Sequence, residues 1–177
     1  MSQNQIVFDK YKFMALLFMN TLCLFASPTK AESIRTEDIA NIRLQPVDII
    51  APKQKNIYEK YGFSFQSECL CGTNDIVNNK KKNLVYIVNH CSQIHSDDTK
   101  TLKISKISES KGGVELDTES KYGNITFLVN RNKEGLFFVR SKSKSSVFGD
   151  MNVLKTFYTD EKNAKRFKKI DCEDFDG

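Results

Sequence analysis

The second half of the chain is a series of short runs in which apolar and polar residues alternate, and turn clusters separate the runs. Alternation with a period of two is typical of strands that bury one face, and a spacing of about ten to twelve residues favours an antiparallel sheet. The predicted strands cover residues 63–71, 84–91, 102–107, 114–117, 124–129, 135–140 and 150–158. We therefore predict an α+β fold, a single domain built on an antiparallel meander.

Two segments outside these strands have helical character. Residues 32–60 predict a helix, a loop and a second helix, because Thr36 precedes acidic residues and Pro46 interrupts the stretch between the two helices. Near the C-terminus, Thr159 is followed by two acids and predicts a helix that continues to Ile170, with basic residues in its last turn. The prediction thus adds an N-terminal helical segment and a C-terminal helix to the sheet.

Residues 1–31 have the pattern of a secretory signal peptide. Lys10 and Lys12 form a basic start, residues 13–26 are an apolar run, and Ala31 is a small residue suited to cleavage. A membrane helix needs about 20 apolar residues, and the run at residues 13–26 is shorter, so we expect a cleaved leader, with an uncleaved anchor as the alternative. The later apolar runs are much shorter still, so no membrane span is expected after removal of the leader. The sequence predicts one exported domain, residues 32–177, that is secreted or periplasmic.

Four of the five cysteines follow this leader, namely Cys69, Cys71, Cys91 and Cys172. An even number of cysteines in an exported chain predicts two disulfides. Cys69 and Cys71 are two apart on a predicted strand, where side chains run parallel, so a bridge between them is disfavoured. One expected arrangement joins Cys69 to Cys91 and Cys71 to Cys172, although the connectivity stays open.

The two histidines, His90 and His95, lie beside Cys91. Thiolates and imidazoles can bind zinc or copper(I), and a cysteine next to a histidine can act as a nucleophile with its base. A single residue between Cys69 and Cys71 is shorter than the usual zinc spacing, and disulfide formation competes. We therefore expect no catalytic residue, metal or cofactor, and a thiol-dependent or metal-handling protein is the alternative.

Other catalytic motifs are missing from the sequence. It contains no serine-nucleophile motif, phosphate-binding loop or zinc-protease helix. Glu115 and Asp117 fall on one face of a predicted strand, and a polar solvent face explains them better than glycosidase chemistry does. Asn124 begins a glycosylation sequon, which matters only in a cell with an endoplasmic reticulum.

Aromatic residues offer a possible surface for a partner. Phe137 and Phe138 are adjacent on one predicted strand, so they point to opposite faces and one of them can lie outside the core. Together with Tyr122, Tyr158 or Phe148 it could anchor an interface. A second layer of sheet would bury both phenylalanines equally well.

The formal charge of +5 is a mild positive excess that is spread along the chain. Binding of nucleic acid needs a basic groove interleaved with aromatic residues, so we expect no nucleic acid partner. An exported, compact chain without a catalytic set predicts a non-enzymatic binding protein with a protein partner. An immunity protein or an inhibitor of a toxin or envelope hydrolase is the most concrete form, and the sequence assigns no partner-binding residue.

Overall fold

Nine β-strands form one antiparallel sheet in the computed structural model, which describes residues 33–63, 74–89, 98–151 and 153–169. The strands are β1 (Arg43–Ile49), β2 (Tyr61–Gly62), β3 (Asn74–Asn79), β4 (Leu84–Asn89), β5 (Asp98–Ser110), β6 (Gly113–Ser120), β7 (Gly123–Arg131), β8 (Phe137–Ser141) and β9 (Lys155–Asp160). Two α-helices of four residues each are α1 (Ile57–Lys60) and α2 (Glu161–Ala164). The described ranges also contain 3-10 helices at Thr36–Ile39, Lys80–Lys82 and Ser146–Met151.

The sheet closes into a barrel because β1 pairs on both of its sides. Leu44 lies opposite Ile76 of β3 and also opposite Asp160 of β9. The strands from β3 to β9 each pair with their neighbours in the chain, so eight strands complete the ring. The ninth strand, β2, extends the end of β1, where Asp48 lies opposite Gly62.

The predicted α+β class is therefore wrong, and the fold is a mostly β, closed antiparallel barrel. Strands β3 to β9 follow one another as in the predicted meander, but the predicted open sheet is closed by β1. Closure gives the strands at both ends of the meander a partner, which removes the exposed sheet edges that an open meander would have. The helical contribution is limited to two helices of four residues.

The predicted helix, loop and helix over residues 32–60 is wrong in its central part, because residues 43–49 form β1. Pro46, which was expected to interrupt the structure, lies within this strand. The β3 pairing ends at Leu44 and the β2 pairing begins at Asp48, so β1 has a neighbour on one side only at Pro46. A proline is tolerated at such an edge position because no ladder hydrogen bond is required on the open side.

The C-terminal helix predicted for residues 159–170 is also wrong in its length. Asp160 is the N-cap, since its carboxylate accepts a hydrogen bond of 2.9 Å from the Asn163 backbone N–H. The helix ends within its first turn, and Lys168 then forms a parallel bridge with Gly62 of β2. Pairing with β2 thus replaces a longer helix, and the last predicted helical residue, Ile170, lies outside the described ranges.

The remaining strand predictions are confirmed in position where the structure describes them, with different bounds. β5, β6 and β7 contain the predicted runs 102–107, 114–117 and 124–129, and each strand is longer than its run. β8 and β9 begin later than predicted, and a 3-10 helix takes the first part of the predicted run 150–158. The predicted strand 84–91 is confirmed up to Asn89, and most of the predicted strand 63–71 lies outside the described residues.

Side chains from every strand of the ring fill the interior of the barrel. Phe127, Phe137 and Tyr158 are the largest of them, and each is 1% exposed. An eight-stranded barrel has an interior just wide enough for side chains, so this one is a packed core. The core comprises Ile34, Ile39, Leu44, Ile76, Val85, Ile87, Leu102, Ile104, Val114, Leu116, Ile125, Phe127, Val129, Phe137, Val139, Val147, Phe148, Leu154 and Tyr158.

A second apolar cluster covers the outside of the barrel at β1 and β9. Val47 of β1 lies opposite Phe157 of β9, whose neighbour Tyr158 points inward, so both side chains are on the outer face. The rings of Tyr58 and Phe167 are 5.0 Å apart in the layer above them. The cluster is formed by Val47, Tyr61, Phe63, Leu136, Ala164 and Phe167, with Ile57, Tyr58 and Phe157 packed against it. α1, β2 and α2 are therefore held against one side of the barrel.

The predicted disulfides cannot be placed in this fold. Cys69, Cys71, Cys91 and Cys172 all lie outside the described residues, and the part of the chain that the structure describes contains no disulfide. Two disulfides were part of the predicted fold class, and the described barrel is held together by strand pairing and by its apolar core instead.

Candidate functional site

The segment before β1 covers one end of the barrel, which we call the Arg131 end because β7 finishes there. Ile39 belongs to the barrel core, and its carbonyl oxygen accepts a hydrogen bond of 2.7 Å from Asn78 Nδ2 of β3. The backbone N–H of Thr36 donates to a carboxylate oxygen of Glu109 at 2.9 Å. These contacts fix the segment as a cap over the ends of β3 and β5.

Arg131 itself falls on the inward face of β7. Ile125, Phe127 and Val129 precede it at alternate positions and belong to the core, so the alternation brings a guanidinium to the edge of the interior. Its guanidinium carbon lies 4.8 Å from the centre of the Phe137 ring. The Nε atom is buried, and no acceptor or carboxylate among the described residues pairs with this side chain. A buried donor without an acceptor costs about 1–3 kcal/mol.

Three clefts meet at Arg131, which lines each of them. The cap cleft lies between the cap and α2 and has a volume of about 340 Å³. The turn cleft lies between α1 and the β7–β8 turn and has a volume of about 230 Å³. The hairpin cleft lies beside the β5–β6 hairpin and has a volume of about 380 Å³. The first and the last reach the lower part of the range for small-ligand sites, which is roughly 300–1,000 Å³.

The hairpin cleft and the cap cleft differ in charge. The charged residues among the described lining of the hairpin cleft are Lys111 and Arg131, with no carboxylate. The cap cleft mixes both signs and is lined by Glu37, Asp38, Asp160, Glu161, Arg43, Arg131 and Lys162. Two of its acids have structural tasks, because Asp160 caps α2 and Asp38 accepts the Arg35 backbone N–H at 2.8 Å. A negatively charged ligand would therefore meet the least repulsion in the hairpin cleft.

Glu134 lines the turn cleft and ties it to α1 and β2. Its carboxylate forms an ion pair with Lys60 Nζ and accepts a hydrogen bond of 2.8 Å from the Tyr61 hydroxyl. These two donors lower the pKa of the Glu134 carboxyl. The hydrogen bond to Glu134 raises the pKa of Lys60, and burial followed by the same hydrogen bond raises the pKa of Tyr61. All three pKa shifts favour the protonation states that these groups already have at neutral pH. This is expected of a contact with a structural role, which we call the Glu134 tie.

The predicted site residues that carry thiol or imidazole groups are not placed by the structure. Cys69, Cys71, Cys91, Cys172, His90 and His95 all lie outside the described residues. Within the described ranges, no group of three or more His, Cys, Asp or Glu side chains is arranged so that it could hold a metal ion. The thiol and metal hypotheses therefore stay predictions.

The acidic pair of β6 and the sequon asparagine lie on the outer wall. Glu115 pairs with Lys142 Nζ at 2.8 Å, and Asp117 accepts a hydrogen bond of 2.6 Å from Thr126 Oγ1. Both carboxylates therefore have structural partners, as expected for a polar outer face. Asn124 is exposed on β7, and whether it carries a glycan stays a prediction.

The aromatic residues that were considered for an interface are divided between core and surface. The prediction that Phe137 and Phe138 point to opposite faces is confirmed, since Phe137 is in the core and Phe138 is half-buried outside it. Tyr158 and Phe148 are core residues. Tyr122 is half-buried and packs against the core. Phe138 and Tyr122 are thus the two with accessible surface.

Arg131 and the hairpin cleft were missed by sequence reasoning, although two signals exist. The alternation of Ile125, Phe127 and Val129 continues to Arg131, which indicates a charge on the core face at a strand end. Residues 109–113 and 119–123 also share the pattern Glu-Ser-Lys-X-Gly. The first signal identifies the guanidinium, whereas the second predicts two similar turns without distinguishing the one beside it.

The chain has no match among protein-family models, curated proteins or solved structures. Among the described residues, no helix has both the length and the apolar character needed to cross a membrane. Function is therefore inferred from the geometry of the Arg131 end.

Proposed function

We propose that this protein is an exported, non-enzymatic binding protein that recognises a protein partner through the Arg131 end of its barrel. One observation carries the proposal: three clefts meet at a guanidinium that has no acceptor among the described residues. Because side chains fill the interior of the barrel, the proposal places binding on its outer surface. Arginine is also among the residues that most often dominate the binding energy of protein interfaces.

The arrangement of the clefts supports a protein partner over a small ligand. They lie side by side and draw on the cap, the β5–β6 hairpin, the β7–β8 turn and the short helices. A small ligand would occupy one of them, whereas a protein surface with several protruding side chains can enter all three. The elements are held by strand pairing and by contacts with the core, so little ordering free energy is lost on binding.

The predicted leader at residues 1–31 adds the location to this proposal. It would deliver the barrel to the periplasm or the exterior, where toxins and envelope hydrolases act. Neutralisation of such a protein is the most concrete form of the proposed function, because an immunity protein or inhibitor needs a preformed surface and no chemistry of its own. The mild positive charge of the chain would steer it toward an acidic partner.

A photo-crosslinking experiment in the source organism tests the proposal. A photoreactive amino acid replaces Lys111, which lies in the hairpin cleft, and in a second strain replaces Lys103, which is exposed on the outer wall of β5. We expect a single crosslinked protein from position 111 and none from position 103. Equal crosslinking from both positions, or none from either across growth conditions, would contradict the proposal.

Identification of the partner then allows a direct test of the inhibitor form. The crosslinked protein is identified by mass spectrometry, purified separately and mixed with the full chain. A stoichiometric complex in calorimetry and loss of the toxic or hydrolytic activity of the partner are the expected results. A complex in which the partner keeps its full activity would rule out the inhibitor form while leaving the binding function in place.

A further inference from the structure

We propose that the hairpin cleft is a carboxylate-binding subsite in which Arg131 supplies a guanidinium fork and Lys111 a second positive charge. The inference rests on the proposed function for the source of the carboxylate, which is an acidic side chain of the protein partner. The ligand chemistry itself follows from the cleft alone.

The state of Arg131 is the first observation behind this assignment. Arg43 has a carboxylate partner, since its guanidinium pairs with Asp75 at 2.8 Å. Arg131 has no such partner among the described residues, although its Nε atom is buried. The guanidinium carbon lies over the Phe137 ring at 4.8 Å from its centre, a contact that leaves the hydrogen-bonding capacity of the fork unused. A carboxylate in the cleft would provide an acceptor for the accessible part of the guanidinium.

The β5–β6 hairpin is the second observation, because it brings a polar and positively charged turn next to Arg131. Lys111 is exposed at its tip, and Ser110 and Asn130 add polar groups to the described lining. Gly113 has a φ of 125°, and a Cβ at this position would overlap the Val129 carbonyl oxygen of β7. Because Gly113 has no Cβ, the hairpin can lie close to the end of β7, where Arg131 is located.

The planar geometry of the guanidinium fork favours a carboxylate over a phosphate. A carboxylate is planar and matches the guanidinium fork with two parallel hydrogen bonds. It carries a single charge, whereas phosphate carries between one and two at neutral pH, and Arg131 also borders the acids Asp160 and Glu161 of the cap cleft. These acids offset part of the attraction that Arg131 and Lys111 exert on a more highly charged ligand, so the planar match with the fork decides for the carboxylate.

Titration of the full chain with sodium acetate, observed by NMR at the Nε–H signal of Arg131, tests the subsite. Sodium chloride is adjusted to keep the ionic strength constant. We expect a saturable shift of this signal in the wild type and binding that is weaker by about tenfold or more in Arg131→Met, which keeps the aliphatic stem but lacks the fork. Arg131→Lys, which keeps the charge, should bind acetate with intermediate strength. In the variants, binding is followed through the backbone N–H signals of Lys111 and Gly112.

The matched control is Lys133→Gln, which removes the same charge two residues away at an exposed position outside the described linings of the three clefts. Its affinity for acetate should stay within about twofold of the wild type, because exposed charges are screened by salt. Equal acetate binding by Arg131→Met and wild type would overturn the subsite. A parallel titration with inorganic phosphate that shows tighter binding than acetate would overturn the preference for a carboxylate.

Binding of acetate and binding of the partner protein test the subsite and the proposed function separately. If Arg131 binds acetate but no protein is crosslinked at the Arg131 end, the subsite stands and the partner proposal fails. If a partner binds the wild type and Arg131→Met equally well, the partner proposal stands and the subsite fails. Support for both requires that Arg131→Met weakens partner binding and that acetate competes with the partner on the wild type only.

Discussion

Two hairpins at opposite ends of β6 share the pattern Glu-Ser-Lys-X-Gly, at residues 109–113 and 119–123, and they end in different surroundings. In both, the serine Oγ donates a hydrogen bond of 3.1 Å to the glycine carbonyl oxygen. Both glycines have a positive φ, 125° at Gly113 and 97° at Gly123. The same residues therefore form the same local turn twice.

The two turns differ in the face of the barrel wall on which their first residue, a glutamate, lies. Glu109 lies opposite Val114 and is thus on the core face of its hairpin, where it receives the cap. In the second hairpin Thr118 and Ile125 are the buried pair, so Glu119 lies on the outer face. Because side chains alternate along a strand, a difference of one residue in register exchanges the two faces.

This difference decides what each end of the barrel can do. At the second hairpin, Tyr122 packs against the core, and its carbonyl oxygen accepts a hydrogen bond from Ser145 Oγ. At the first hairpin, the residue in the place of Tyr122 is Gly112, and a cleft lies beside it. The Tyr122 ring fills the second turn, whereas a charged cleft lies beside the first turn, where glycine takes the place of tyrosine.

The largest expected effect compares the two glycines of these turns. Gly113→Ala should lower the free energy of unfolding by about 3 kcal/mol or more, since its Cβ would overlap the Val129 carbonyl oxygen in addition to the strain of a positive φ. Gly123→Ala should cost about 1–2 kcal/mol, because it has the positive φ but no atom within 4 Å of the added Cβ. Urea denaturation of both variants measures the difference, and equal losses would show that β7 does not constrain the first hairpin.

The residues that differ between the turns give the next effect. Tyr122→Ala should destabilise by about 2 kcal/mol, because the ring is packed against the core and its buried area is lost. Gly112→Ala should change stability by less than about 0.5 kcal/mol, since an added Cβ would meet its nearest neighbours at 3.8 Å and 3.9 Å, which is ordinary contact. Thermal melts of the two variants check the contrast. Similar losses in both would mean that the Arg131 end is packed as tightly as the other end.

Removal of the unpaired guanidinium should have the opposite sign. Arg131→Met keeps an aliphatic side chain but loses the contact between the guanidinium and the Phe137 ring. Because it also removes a buried donor without an acceptor, the free energy of unfolding should rise by about 1 kcal/mol in a buffer that lacks carboxylates. Sodium acetate should raise the melting temperature of the wild type and leave that of the variant unchanged. A marked loss of stability in Arg131→Met would show that the guanidinium has a structural task at this end.

The smallest effect concerns the tie between Glu134, Lys60 and Tyr61. The pKa of Glu134 is lowered from 4.5, so its contribution to stability is present above that pH and is lost as the pH falls through the folded pKa. The pKa values of Tyr61 and Lys60 are raised from 10.0 and 10.5, so their contribution is present below those values and is lost as the pH rises through the folded pKa values.

Glu134→Gln should therefore flatten the acidic limb of the stability profile. It should flatten the alkaline limb only in part, because burial still raises the pKa of Tyr61. The effect is small because the pair is solvent-exposed. The free energy of unfolding, measured from acidic to alkaline pH, checks the expectation. The control is Glu119→Gln at an exposed position. An unchanged acidic limb in Glu134→Gln would mean that the tie does not stabilise the fold.

Much of the strand content was predictable because it follows from local alternation. Leu102, Val114 and Ile125 lie in runs whose period of two is evident without any partner strand, and these runs are strands in the structure. β1 was not predictable in this way. Its run is short and contains Pro46, and it becomes a strand by pairing with β9 more than a hundred residues away along the chain.

The candidate site was predictable only in part for the same reason. The inward position of Arg131 follows from the alternation in β7. The hairpin cleft does not, because Ser33, the turn at Lys111 and the end of β7 are distant in sequence and meet only when the barrel closes. The cysteines and histidines of the predicted thiol or metal site lie outside the described residues.

By itself, the sequence determined where the central strands lie and how the two Glu-Ser-Lys-X-Gly turns are built, because alternation and turn chemistry act over a few neighbouring residues. The tertiary structure decided that the sheet closes on β1, which face each turn occupies and that the guanidinium of Arg131 meets no described acceptor. Those features depend on register and on pairing between distant strands, and a one-residue shift in register would exchange the inward and outward faces of a strand.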